Sequence, residues 1–310
     1  MPIVRGRGEQ NAMSKLIENE QYDVERALYN ACDVIVSRCK FAGPLDGESA
    51  LKESQDIKVE ECEFRLRYPL WHVTNFEVDD CKMTNTCRAP LWYCRNGKIT
   101  NTVISGVKAV RECKEIEISD CNISSAEFGW KSSDISISHC DLVSEYLLLD
   151  SKNINLSNVK MRGKYSFQYT RNLIIENSEL DTKDAFWHSE NATVSNSVIK
   201  GEYLGWYSEN LTLINCHIAG TQPLCYCKNL NLINCTMEDC DLAFEYSEVH
   251  ATIVSHVESI KNPLSGIITA DSVGETIRDN PAIECDGEIV IREKYKKNNQ
   301  GKENENKSNN

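Results

Sequence analysis

Two six-residue stretches concentrate the side chains best equipped for chemistry: Arg67-Tyr-Pro-Leu-Trp71-His72 and Arg88-Ala-Pro-Leu-Trp92-Tyr93, 21 positions apart. Arg67 and Arg88 each carry a planar fork suited to a carboxylate. Trp71, Trp92 and Tyr93 offer aromatic surface to a sugar ring, and Arg65 adds a cation close by. His72 supplies an imidazole, while Glu48 and Glu53 upstream supply carboxylates, so groups for acid–base catalysis are present. The combination suits a lateral surface for a carbohydrate-like ligand, or the site of a polysaccharide lyase or glycoside hydrolase. Glycoside hydrolysis needs two carboxylates at a defined separation, and only a fold can set that. The competing reading has Trp71 and Trp92 filling an interior while the arginines pair with surface acids.

A second set recurs with a regular step. Tyr169, His188, Tyr207 and Tyr226 are spaced by 19 residues, each directly after Gln168, Trp187, Trp206 or Cys225. Neighbouring residues on a strand point to opposite faces. The row of Trp71, Trp187 and Trp206 is therefore expected to face inward, and the Tyr/His row to form an exposed stripe. Such a stripe can bind an extended polymer or hold successive coils together by stacking.

The elements that position these rows follow from the repeat itself. Cys121, Cys140, Val159, Ser178, Ser197, Cys216 and Cys235 lie 19 apart, and Cys39, Cys62, Cys81 and Thr102 extend the column. Three residues earlier every position is apolar, from Val59 through Ile137 to Leu232; two residues later the same holds, from Phe64 through Leu142 to Met237. Short runs of β-branched residues between polar turns indicate strands. Nineteen residues are too few for a two-helix repeat, and leucine-rich spacing is absent. A parallel β-solenoid remains, with roughly eleven or twelve coils rising ~4.8 Å each. Its Cys column reads as core filling, because a free thiol behaves as a small hydrophobe and Ser, Thr or Val replaces it elsewhere. The Asn101, Asn158, Asn177, Asn196, Asn215 and Asn234 column, one residue earlier, is expected to ladder through its amides.

The segments "YDVERALYNACDVIVSRCKF", "GPLDGESALKES", "FRLRYPLWH" and "CRAPLWYC" resemble an uncharacterised bacterial family of pectin-lyase-like proteins. The resemblance implies an all-β, right-handed, single-stranded parallel β-helix. It implies no reaction, because fold does not carry function.

The remaining expectations are exclusions and boundaries. The chain has 310 residues and a formal charge of −13, which opposes nucleic-acid binding through phosphates. No apolar run is long enough to span a membrane, and no apolar leader follows Met1, so the expected location is cytoplasmic. Fifteen cysteines without a C-x-x-C pair suggest reduced thiols, with no metal site and no cofactor. Residues 1–20 read as a polar lead-in, 21–293 as the β-helix with an N-terminal cap, and 294–310 as a disordered tail. A carbohydrate or protein is the expected partner, with homo-oligomerisation left open.

Overall fold

The computed structural model describes residues 14–43, 48–280 and 282–292. The tail from 294, most of the lead-in and Gly47 of the first long loop lie outside them. Six-residue strands such as Lys114–Ser119, Ser133–Ser138 and Lys152–Ser157 pair in parallel and in register, so that Ile116, Ile135 and Ile154 stack. This long sheet runs from Lys15–Glu18 to Glu288–Ile291. A second parallel ladder of shorter strands includes Gln21–Tyr22, Asn122–Ser124, Lys160–Lys164 and His217–Ala219. On the third side the chain turns, and only pieces such as Leu70–Trp71 and Leu91–Trp92 pair there.

The chain is thus an all-β parallel β-solenoid of about 14 turns, each of about 19 residues. The expected eleven or twelve coils fall short because the terminal coils depart from the 19-residue step. Lys15–Glu18 already pairs with Val34–Ser37 inside the segment read as lead-in. At the other end Glu248–Ile253 and Ser265–Ala270 pair with a shorter step.

Both apolar columns point into the solenoid, with Ile137 and Leu142 each 1% exposed. Phe41 and Phe64 stack inside at 4.7 Å, and Phe167 and Phe186 at 5.2 Å. Gly97 holds an inward position because Phe76 fills the space beside it; a Cβ there would lie 2.1 Å from the ring.

The Cys column is core, as expected, and it also closes hydrogen bonds. The N–H of Cys39 donates to Sγ of Cys62, and that of Cys62 to Sγ of Cys81, both at 3.3 Å. Ser178 and Ser197 take the same role with hydroxyls at 3.1 and 3.0 Å. Any small side chain that both accepts and donates fits here, which explains the Cys/Ser/Thr exchange. A second column of the same kind went unread in the sequence: Cys113 donates its N–H to Ser132 Oγ, Ser132 to Ser151 Oγ, and Cys227 to Ser247 Oγ. All fifteen cysteines are free. Burial pushes the Cys225 and Cys240 thiols up to about 12, away from the reactive thiolate.

Left-handed residues make the corners. In one coil Asn158, Tyr165 and Tyr169 have φ of 54°, 47° and 57°, and each donates its N–H to the coil ahead at 2.7–3.1 Å. The expected amide column forms few amide–amide bonds, Asn215 to Asn196 at 3.2 Å being one. The continuous ladder lies instead at the start of the long strands. Asn229, Asn210, Asn191, Asn172 and Asn153 each donate to the preceding coil, ending on the Asp134 carboxylate at 2.8 Å.

Candidate functional site

The aromatic corner differs from the expected alternation. Leu70, Leu91, Leu148, Phe167, Phe186 and Leu224 take the inward position. Trp71, Trp92 and Trp187 follow Leu70, Leu91 and Phe186, and Trp206 follows the buried Gly205; all four are half-buried on the outside, and His72, Tyr93, His188 and Tyr207 come next, exposed. Strand alternation fails because the segment is a turn: Phe186 and His188 have φ of 62° and 50° on either side of Trp187. The Trp row therefore does not fill the core.

The faces of these indoles are taken by neighbours. Trp71 has Lys52 Nζ 4.2 Å from one ring centroid and Trp92 at 5.5 Å, nearly parallel. Tyr68 meets both indoles at 5.7 Å, and Tyr93 stacks on Trp92 at 5.5 Å. Further along, Arg111 lies over Trp130 at 5.4 Å. Trp130 and Trp206 donate their indole N–H to the carbonyls of Tyr146 and Gln222. The buried indole nitrogens of Trp71, Trp92 and Trp187 have no acceptor among the described residues.

Around this stack the expected catalytic groups are only partly assembled. Arg67 reaches Glu48 at 3.6 Å, and the two residues also form a backbone bridge. Arg65 is held by Glu63 at 2.7 Å, which keeps that carboxyl below its usual range through hydrogen bonding. His72 is exposed and tilted against Tyr93 at 4.9 Å. Arg88 ends the 3-10 turn Asn85–Cys87, exposed, and makes no ion pair among the described residues. Glu53 is exposed and enters none of these contacts. The structure brings together Glu48 with Arg67, and Trp71, Trp92, Tyr93 and His72 with one another.

Of the expected exposed stripe, Tyr169, His188 and Tyr207 are exposed, whereas Tyr226 is half-buried. Tyr169, His188 and Tyr207 stack at 5.1 Å and within 9° of parallel, and Tyr226 continues the ladder at 4.9 Å. Tyr246, unread in the sequence, extends it at 5.9 Å. Ring faces are covered by ring faces, so the stripe shows edges to solvent. Tyr226 lies 3.4 Å from Glu245, and burial followed by that carboxylate pushes the phenol up to about 12.

The cavity of interest lies elsewhere. A groove of about 780 Å³ follows the outer face of the long sheet and is lined by Asp56, Glu77, Lys98, Glu115, Glu117 and Asp134, among others. Lys58, Glu77, Lys98 and Glu117 stack in register in one outward column. Glu77, Lys98 and Glu117 make no ion pair or side-chain hydrogen bond among the described residues. Asp134 is occupied by Asn153, whose hydrogen bond lowers its pKa, and Asp56 accepts from Asn75 at 2.9 Å. Five carboxylates (Asp56, Glu77, Glu115, Glu117, Asp134) face two lysines (Lys58, Lys98), so the groove is acidic. The alternating charges of that column are visible in the sequence; that Lys58 is taken by Glu60 while Glu77, Lys98 and Glu117 stand unpaired among the described residues is not. Cys32, Asp33 and Asp56 also bring a thiol and two carboxylates within 4.8 Å of one another, all exposed.

Strand register and repeat define the class: a parallel β-solenoid with an acidic lateral groove and a saturated aromatic corner. The chain belongs to the family described as "Protein of unknown function (DUF3737)", whose model matches residues 15–291. The likeness read from the sequence to a family without an assigned reaction therefore holds. No curated protein matches the chain. Among solved structures it is similar to the A-module of an Azotobacter vinelandii mannuronan C-5 epimerase, at 10% identity over 89% of each chain, with a TM-score of 0.39. A periplasmic alginate epimerase matches at 9% identity over 84% of this chain and 76% of that one, TM-score 0.30. An endo-xylogalacturonan hydrolase from Aspergillus tubingensis matches at 11% identity over 89% and 87%, TM-score 0.23. These scores are low, and the architecture stands on the strand register of this chain.

Proposed function

We propose that the protein is a non-catalytic carbohydrate-binding solenoid that holds an extended saccharide along the groove of its long sheet. The observation that carries this reading is the groove of about 780 Å³, whose charged lining spans five coils, with Glu77, Lys98 and Glu117 unengaged along it among the described residues. Carboxylates and ammonium groups spaced at the ~4.8 Å strand interval offer successive acceptors and donors to hydroxyl groups. The excess of carboxylates selects against uronates, because like charges at close range repel. The ligand class is therefore a neutral or amino-bearing saccharide.

Binding is favoured over turnover at the Arg67, His72 and Arg88 corner, since Glu48 is engaged by Arg67 and the indole faces are covered. Tyr169, His188, Tyr207 and Tyr226 act in this reading as a stacking ladder. A glycan array spanning neutral, amino-bearing and uronate oligosaccharides, followed by calorimetry, tests the proposal. Neutral or amino-bearing chains should bind, and a Glu77→Gln/Glu117→Gln double variant should lose most of that affinity. Binding restricted to uronates, no binding by folded protein, or affinity unchanged in the double variant overturns it.

A further inference from the structure

A second concave face carries a charge pattern with an internal symmetry. The outer face of the short-strand ladder forms a depression of about 590 Å³, lined by Asp141, Lys160, Arg162, Glu179, Asp181 and Lys200, among others. Three carboxylates thus stand against three cations, so the face is neutral where the long-sheet groove is acidic. Lys160 pairs in register with Glu179, and Arg162 with Asp181; the preceding coil places Asp141 beside Lys160, and the following one places Lys200 beside Asp181.

Opposite charges one coil apart close ion pairs elsewhere on this rod, as in Lys183–Glu202 at 2.9 Å and Arg171–Glu190 at 3.4 Å. On this face none of the six charged side chains makes an ion pair among the described residues, and all six are exposed. The signs are also grouped by coil. One coil presents Lys160 and Arg162, both cationic, and the next presents Glu179 and Asp181, both anionic.

We infer that this face is a self-association surface whose occupant is a second copy of the chain, docked antiparallel across a two-fold axis. The axis lies along the strand direction, between the coil of Lys160 and that of Glu179. Rotation about it reverses the coil order and returns each column to itself. It sets Lys160 of one copy against Glu179 of the other, and Arg162 against Asp181, with both contacts repeated by symmetry. Such an isologous contact is the commonest way for a chain to pair with itself. Outside these two coils, Asp141 and Val143 come opposite the coil of Val198 and Lys200, so no like charges meet. The long-sheet groove lacks this property, because its carboxylate excess repels a copy of itself. Five coils of a narrow strand ladder cover less than the roughly 800 Å² per partner of a standard interface. The association is therefore weak and sensitive to salt, since exposed charges are screened within about 10 Å at 0.1 M salt. The inference is independent of the saccharide reading, which uses a different face.

Charge exchange tests it by sedimentation velocity on the full chain over a concentration series at low and high salt. Wild type should self-associate at low salt and dissociate at high salt. K160E/R162E makes the central face wholly anionic and E179K/D181K makes it wholly cationic, so each variant alone should stay monomeric. An equimolar mixture of the two should form a heterodimer. A wild type that stays monomeric at low salt, variants that self-associate as wild type does, or a mixture that fails to pair overturns the inference. Circular dichroism of each variant, expected to match wild type, confirms that the readout is association and not unfolding.

Discussion

On the aromatic corner, residues 19 apart are alike and touch: Tyr207 lies on His188, and His188 on Tyr169, each at 5.1 Å. On the outer face of the long sheet, residues of one column differ in sign and stay apart, with Glu77, Lys98 and Glu117 unengaged among the described residues. Both regions inherit the same spacing between coils, yet one uses up its side chains and the other leaves them open. Like rings satisfy each other across that interval, so a run of them becomes scaffold. Unlike, flexible charged side chains keep their hydration and remain available to a ligand. The aromatic richness that first draws attention to Trp71 and Trp92 is for this reason a poor marker of a site here.

This contrast can be broken at graded cost. The largest effect is expected deep in the shared interior. Ile137→Asp puts an unpaired charge where the wild-type side chain is 1% exposed, at a cost of several kcal/mol, and disappearance of the cooperative thermal transition would show it. Phe186→Ala removes one member of the inner Phe pair and should cost about 3–5 kcal/mol by chemical denaturation. Tyr207→Ala interrupts the outer ladder and should cost only about 0.5–1.5 kcal/mol for each ring pair it unstacks. If it matched Phe186→Ala, the outer ladder would belong energetically to the core. Tyr226 sharpens the comparison through pH. Its phenol is raised from the ordinary 10.0 to about 12, so the neutral form is favoured in the fold. Its contribution is complete below about pH 10 and is lost as pH climbs toward 12. Tyr226→Phe should therefore flatten the alkaline loss of stability between those values, and absorbance titration should show one fewer late-ionising phenol in the variant than in wild type. Smallest of all, Glu77→Gln/Glu117→Gln should move stability by no more than about 0.5 kcal/mol while weakening saccharide binding.

The sequence discloses most of the solenoid and little of its working surface. The columns of Ile137 and Leu142 are apolar at every coil because both face one continuous interior, and such a demand leaves a plain trace. The second thiol and hydroxyl column follows the same step from Cys94 to Cys227, reaches Ser247 after one extra residue, and is legible once the repeat is extended to it. The side taken by Trp187 is not, since it depends on left-handed conformations at Phe186 and His188, which large aromatic residues seldom adopt. The same limit applies to Glu48, Glu53 and His72. Their spacing suggests convergence, but loop geometry delivers only Glu48 to Arg67.

The asparagine ladder from Asn229 down to Asp134 has a consequence for how such a chain can change over generations. Each amide gives a hydrogen to the unit before it, and those of Asn153, Asn172, Asn191 and Asn210 take one from the unit after. A tandem duplication or deletion of one 19-residue unit inside this run restores the same donors and acceptors at its new junction. Rod length can thus drift by whole units at little energetic penalty, whereas a gain or loss of one or two residues has to be absorbed in a turn, as in the 21-residue step that still pairs Trp92 with Trp71.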